Sequence, residues 1–227
     1  MQDYSVFDIV GPIMIGPSSS HTAGAARLAK VAATIADGKI IKAEFLLHGS
    51  FAETYKGHGT DKALVAGILA MEPWDERLKD SFKLAKGEGI EIIFTPTDLG
   101  EVHPNTVKFI LTKEDGSVSN ITGSSIGGGN ILIIDIDGQE VAFTGKYPTL
   151  LAQYRDLPGV ISKLSSVLYE ENINIANMRV YRNGKGKTAT MALEADSIIT
   201  EVVAEKIRNI KEMNSVQSIN PIVEGVF

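Results

Sequence analysis

Hydrophobic and polar positions change period several times along this chain, and the changes outline its elements. Residues 23–36 read Ala-Gly-Ala-Ala-Arg-Leu-Ala-Lys-Val-Ala-Ala-Thr-Ile-Ala, a run of strong helix formers that predicts a helix. Short apolar stretches at 6–10 and 40–47 predict a strand on either side of it. Helices are expected over 62–70 and 75–85, followed by a run of alternating strands from 91 to 143. Turn chemistry at Thr95-Pro-Thr-Asp98, Glu114-Asp-Gly116 and Asp137-Gly138 separates those strands. The first part of the chain therefore opens as α/β and reads as an α+β domain.

Around Gly145-Lys-Tyr-Pro148 the pattern restarts as a β-α-β-β-α-β succession of the size of an independent unit. Its strands are expected at 150–155, 175–182, 188–194 and 216–222. Its helices fall at 160–171, with Val160, Ile161, Leu164, Val167 and Leu168 on one face, and at 201–210, with Val203, Ile207 and Ile210. Those stripes read as core. The expected division is 1–145 and 149–227.

Composition narrows the classes. Across 227 residues 44% are hydrophobic, enough for a core in each part, and the net charge is −6. No run of Lys or Arg interleaved with aromatics offers a track for phosphates, so nucleic acid is not an expected partner. The N-terminal Met-Gln-Asp-Tyr-Ser-Val-Phe-Asp lacks a basic region followed by an apolar one, and no apolar run approaches the roughly 20 residues that span a bilayer. A soluble, cytoplasmic protein is expected. Cysteine is absent, which removes disulfides and every thiolate ligand for zinc or an iron–sulfur cluster. The four histidines, His21, His48, His58 and His103, all precede residue 104 and match no short metal-binding spacing, so no metal site is expected on this chain.

The densest chemistry is Gly16-Pro-Ser-Ser-Ser-His-Thr-Ala-Gly24, directly before the Ala-rich helix. A helix start has free N–H groups that attract an anion such as a small carboxylate, and Ser18, Ser19, Ser20 and Thr22 add hydroxyls there. His21 adds a group that exchanges protons near neutral pH. An ordinary helix cap needs only one hydroxyl. Gly57-His-Gly-Thr-Asp61 is a second cluster, in which Asp61 either orients His58 or His21 in one tautomer or, with Thr60, caps the next helix. His103-Pro-Asn-Thr106 reads as a tight turn before a strand. Gly127-Gly-Gly129 with Asn130 allows close backbone approach to a ligand or a partner chain, or acts as a hinge. Gly184-Lys-Gly-Lys-Thr188 ends like a phosphate loop but joins two expected strands and has Tyr181 where a leading glycine belongs, so it reads as a hairpin turn.

Two resemblances add to this reading. Tyr154-Arg-Asp-Leu-Pro-Gly-Val-Ile-Ser-Lys-Leu-Ser-Ser-Val-Leu, followed by Asn172-Ile-Asn-Ile-Ala-Asn-Met, resembles an ACT domain, a small amino-acid-sensing module with a βαββαβ ferredoxin-like fold. The likeness implies pairing of two copies, hence a homodimer, with a regulatory ligand near Asp156, Gly159 and Asn174; the plain reading has Asp156 capping a helix and Asn174 serving a turn. The first part is similar to the β-chain family of iron–sulfur-dependent L-serine dehydratases. Four motifs in order carry this: Gly16 to Gly24, Gly57-His-Gly-Thr-Asp-Lys-Ala-Leu-Val-Ala-Gly67, His103 to Thr106, and Ser124-Ser-Ile-Gly-Gly-Gly-Asn130. This likeness implies a two-chain enzyme converting L-serine to pyruvate and ammonia, with a [4Fe–4S] cluster on a cysteine-containing α subunit whose iron acts on the serine hydroxyl. On this chain it implies catalytic roles for His21, Ser19, Ser20, Thr22, His58 and Asp61, and substrate binding by Ser18, Ser19, Ser20, Thr22 and Asn130. The first part also resembles an allosteric serine-binding domain attached to a biosynthetic dehydrogenase, which implies instead a sensor with no catalytic share.

Overall fold

The computed structural model describes residues 13–182 and 184–220; the strand expected at 6–10 lies outside them. The chain divides into two compact units, residues 1–138 and 139–227.

In the first unit, α1 (Ala25–Ala36) is preceded by a π-turn over Ser19–Gly24, so the serine-rich segment placed ahead of the helix by the sequence is itself helical. A π-turn is held by its surroundings more than by local propensity, which is why helix-former counting starts the helix at 23. The helix stops where Asp37 takes a left-handed conformation, φ 50°, ahead of Gly38. Then follow β1 (Ile40–Leu47), α2 (Gly49–Thr54), α3 (Thr60–Ile68), a 3₁₀ turn (Glu76–Asp80), α4 (Ser81–Gly87), β2 (Glu91–Pro96), β3 (Thr106–Lys113), β4 (Val118–Gly127) and β5 (Asn130–Ile136). The helix expected at 75–85 is thus a 3₁₀ turn running into α4, and α2 has no counterpart in the sequence reading.

The strands lie in the order β2-β1-β3-β4-β5. The β1 and β2 strands are parallel, while β1–β3, β3–β4 and β4–β5 are antiparallel. Alternation along the strands buries Phe45, Leu47, Val107, Phe109, Leu111, Ile121 and Ile133, and α1 adds Leu28, Ala32 and Ile35. Helices α1 and α3 pack closely because Gly67 leaves room: a Cβ there would collide with the Ala26 carbonyl and lie 2.6 Å from Ala29 Cβ. Gly123 does the same for α1 on the sheet, since its Cβ would sit 2.7 Å from Leu28 Cδ2.

The second unit begins with β6 (Gln139–Phe143) and continues through β7 (Thr149–Arg155), α5 (Val160–Glu170), β8 (Ile175–Arg182), β9 (Thr188–Ala195), α6 (Glu201–Arg208) and β10 (Met213–Ile219). Strands β7 to β10 form an antiparallel sheet in the order β10-β7-β9-β8, the βαββαβ arrangement of the ACT fold. One face carries the core, with Leu150, Tyr154, Met191 and Leu193 packed under Leu164 and Leu168 of α5 and Val203 and Ile207 of α6. The opposite face is partly polar, and β6 packs against its β8 and β9 strands. Gln139 accepts from the Thr190 hydroxyl at one end of β6. Past its other end, Thr144 donates its N–H and hydroxyl to the buried Glu194 carboxylate at 3.3 and 3.1 Å. Asn177 donates to the second oxygen of Glu194 at 3.1 Å, leaving that carboxylate hydrogen-bonded on both sides. The segment 184–188 joins antiparallel neighbours β8 and β9, as a hairpin turn does.

Candidate active site

Ser18 stands in extended backbone (φ −142°, ψ 125°), and its Oγ accepts the His21 N–H at 3.2 Å, closing the first turn. The π-turn places Ser19 and Ser20 half-buried, and turns His21 toward α2 while Thr22 faces inward. Glycines make the turn possible. A Cβ on Gly16 would collide with the Thr22 side chain, and one on Gly24 with Ser125 Oγ.

His21 is clamped on several sides. Its Nδ1 lies 3.4 Å from Ser18 Oγ and its Nε2 3.2 Å from Ser50 Oγ. Phe51, fully buried, meets the ring edge-on at 5.2 Å, and the His58 ring lies 4.9 Å away. Burial first, and the neighbouring His58 second, lower the His21 pKa below 6.5, with contact to Ser50 pulling the other way. The imidazole is thus kept mostly neutral at neutral pH, able to accept a proton.

Three hydroxyls near this turn are buried without a hydrogen-bond partner: Thr22 Oγ1, Thr60 Oγ1 and Ser125 Oγ. Their residues are at most 1% exposed. They come from the π-turn, from the start of α3 and from β4, and both α3 and β4 pack on the π-turn. An unmet buried hydroxyl costs about 1–3 kcal/mol, and these three belong to elements that pack together at the turn.

The remaining expected residues divide. His58 is exposed and joins the cluster only through its ring contact with His21. Asp61 accepts the Lys62 N–H at 2.8 Å, and the groups on the His21 ring nitrogens are Ser18 and Ser50 instead. Burial raises the Asp61 pKa, with the Lys62 N–H opposing. Gly59, left-handed at φ 71°, caps α3 without a side chain. His103 Nδ1 accepts the Asn105 N–H at 3.1 Å within its own turn. Gly127, Gly128 and Gly129 are all left-handed (φ 105°, 59° and 79°), and Arg27 of α1 holds the Gly129 carbonyl at 2.9 Å. Asn130 next to them is exposed. In the second unit the carboxylate of Asp156 pairs with Arg182, and Asn174 donates to Asp196 at 2.6 Å. Gly159, at φ 90°, opens α5 without a side-chain cap.

Sequence reasoning passed over Ser50, Phe51 and Ser125. Ser50 lies in a helix only six residues long, below what periodicity resolves, and Ser125 was read only as part of a glycine-rich run. Among the described residues no three His, Cys, Asp or Glu side chains gather to hold a metal ion, and the chain has no cysteine. Nor is any helix among them long and apolar enough to cross a membrane.

The first unit thus carries a hydroxyl-rich helix start with a half-buried imidazole in it, and the second has the ACT arrangement. Residues 5–86 match the serine dehydratase beta chain family, and residues 149–212 match the ACT domain family. The L-serine dehydratase beta chain of Peptoniphilus asaccharolyticus is 46% identical over 95% of this chain and 97% of its own length. A probable L-serine dehydratase beta chain of Bacillus subtilis is 41% identical over 96% and 99%. The chain belongs to the family of L-serine dehydratase beta chains. A D-3-phosphoglycerate dehydrogenase of Methanocaldococcus jannaschii is 28% identical over 85% of this chain but only 36% of its own length.

Proposed function

We propose that this chain is the β subunit of an L-serine ammonia-lyase and lines one wall of an active site that an α subunit completes. The observation that carries the reading is the His21 imidazole, half-buried at a helix start between Ser18 and Ser50, its pKa lowered by burial, and close to buried hydroxyls without partners. In the overall reaction the α-hydrogen leaves as a proton and the β-hydroxyl as water, giving aminoacrylate. Its imine tautomer takes up water and releases ammonia and pyruvate. His21 accepts or returns one of these protons, and Ser19, Ser20 and Thr22 hold the substrate carboxylate at the electropositive turn. Thr60 and Ser125 supply hydroxyls from the flanking elements. The [4Fe–4S] cluster that the family likeness implies does not fit the residues of this chain, which offers no cysteine and, among its described residues, no three His, Asp or Glu side chains gathered to hold a metal. We assign it to the partner.

The match to a phosphoglycerate dehydrogenase across both units supports a second reading, a serine sensor without a catalytic share. Anaerobic reconstitution with the α subunit separates the two. Turnover collapsing in His21→Ala and falling in Ser19→Ala supports the shared site. Full turnover in both variants, with only the response to serine concentration altered, supports the sensor.

A further inference from the structure

We infer that Ser50 is a positioning residue that holds the His21 imidazole in one orientation and one tautomer; this rests on the reading that His21 moves a proton. Ser18 Oγ already accepts the His21 backbone N–H, so its own hydrogen is free to donate to Nδ1, 3.4 Å away. Nε2 then carries the hydrogen and donates it to Ser50 Oγ at 3.2 Å. Phe51, next to Ser50 on α2, packs against the ring with centroids 5.2 Å apart.

What makes Ser50 an effective support is how α2 is anchored. His48 donates its N–H to the Thr106 carbonyl at 3.0 Å, and Phe51 donates to the Pro104 carbonyl at 3.4 Å. Gly49, left-handed at φ 52°, sits so close to Pro104 that a Cβ would lie 2.7 Å from its carbonyl oxygen. The same turn reaches the other side of the site, where Asn105 accepts the Ser125 N–H at 2.9 Å and the Thr106 hydroxyl meets Ser124 Oγ at 2.7 Å. The His103-Pro-Asn-Thr106 motif thus touches no ring nitrogen of His21 itself. It fixes the short helix that does, and it ties that helix to β4.

The test uses the full chain with ¹⁵N-labelled histidine, read by ring-nitrogen chemical shifts, alongside steady-state kinetics of the reconstituted two-chain enzyme. Wild type should show His21 as the Nε2–H tautomer. Ser50→Ala should mix the tautomers and lower kcat about tenfold, the worth of one hydrogen bond, with KM unchanged. Ser50→Thr should restore both, and Gly49→Ala, which keeps the serine but shifts the helix that carries it, should reproduce the tautomer mixing. His21 ring signals unchanged in Ser50→Ala would overturn the inference, as would mixed tautomers with undiminished kcat. Full turnover in His21→Ala would instead remove the proton-transfer reading, leaving the ring signals to decide whether Ser50 holds the imidazole.

Discussion

Burial and the neighbouring His58 together lower the proton affinity of His21, and this has a consequence for stability. The unfolded chain protonates this imidazole at the ordinary value, near 6.5, whereas the folded chain resists it until lower pH. Stability from this residue is therefore complete above pH 6.5 and is lost as pH falls from there toward the folded value. In His21→Asn the melting temperature should fall less steeply than wild type over that acid range; parallel curves for the two proteins would contradict the account. The orphan hydroxyls make an opposite kind of prediction. Thr22→Val and Thr60→Val remove a buried group with no partner while keeping the shape, so each should leave the fold as stable or raise it by up to about 1 kcal/mol in thermal melts. Both should weaken serine turnover in the two-chain enzyme. Stability gained with activity lost is the signature of a polar group kept for a ligand. At this scale the histidine and hydroxyl types were legible in the chain, because Ser18 to Thr22 crowd one helix start. Their neighbours were not: Ser50 and Ser125 lie far off in sequence, and only folding brings them alongside the turn.

Elements pack here through small residues. Gly67→Ala should destabilise the protein by about 1–3 kcal/mol in chemical denaturation, because its Cβ meets backbone of α1 that cannot move aside. Gly57→Ala is the matched control, its nearest neighbour being the Thr54 carbonyl at 3.7 Å, and should melt close to wild type. In the second unit Gly159→Ala should cost about 1 kcal/mol for a different reason, the left-handed φ of 90° at the start of α5, where space is open. Long periodic elements such as α1, α5 and β1 were readable from patterning, since burial on one face repeats at a fixed interval. The π-turn, the 3₁₀ turn at Glu76–Asp80 and the six-residue α2 were not, being too short to show a period and stabilised by contacts distant in the chain.

In the first unit Leu28, Phe45, Phe109 and Ile121 are buried, and the second unit has a core of its own on Leu150, Leu164, Met191 and Leu193. Leu164→Ala should cost about 2.7–5 kcal/mol in the second unit. Hydrogen exchange should locate the loss in β7, β9 and β10, with the amides of β1, β3 and β4 still protected; equal deprotection of both sets would mean a single cooperative unit. The order of apolar and polar residues was enough to separate an α+β domain from a βαββαβ module, because periodicity is a local property and each element states its own. The motifs around Ser18, Gly57, His103 and Ser124 pointed to a family whose members handle serine. Which groups meet at His21, and which glycines are spaces for another side chain, came only from the tertiary structure. Hydrogen bonds and close approaches depend on distances between residues remote in the chain, and one-dimensional patterning carries no measure of those distances.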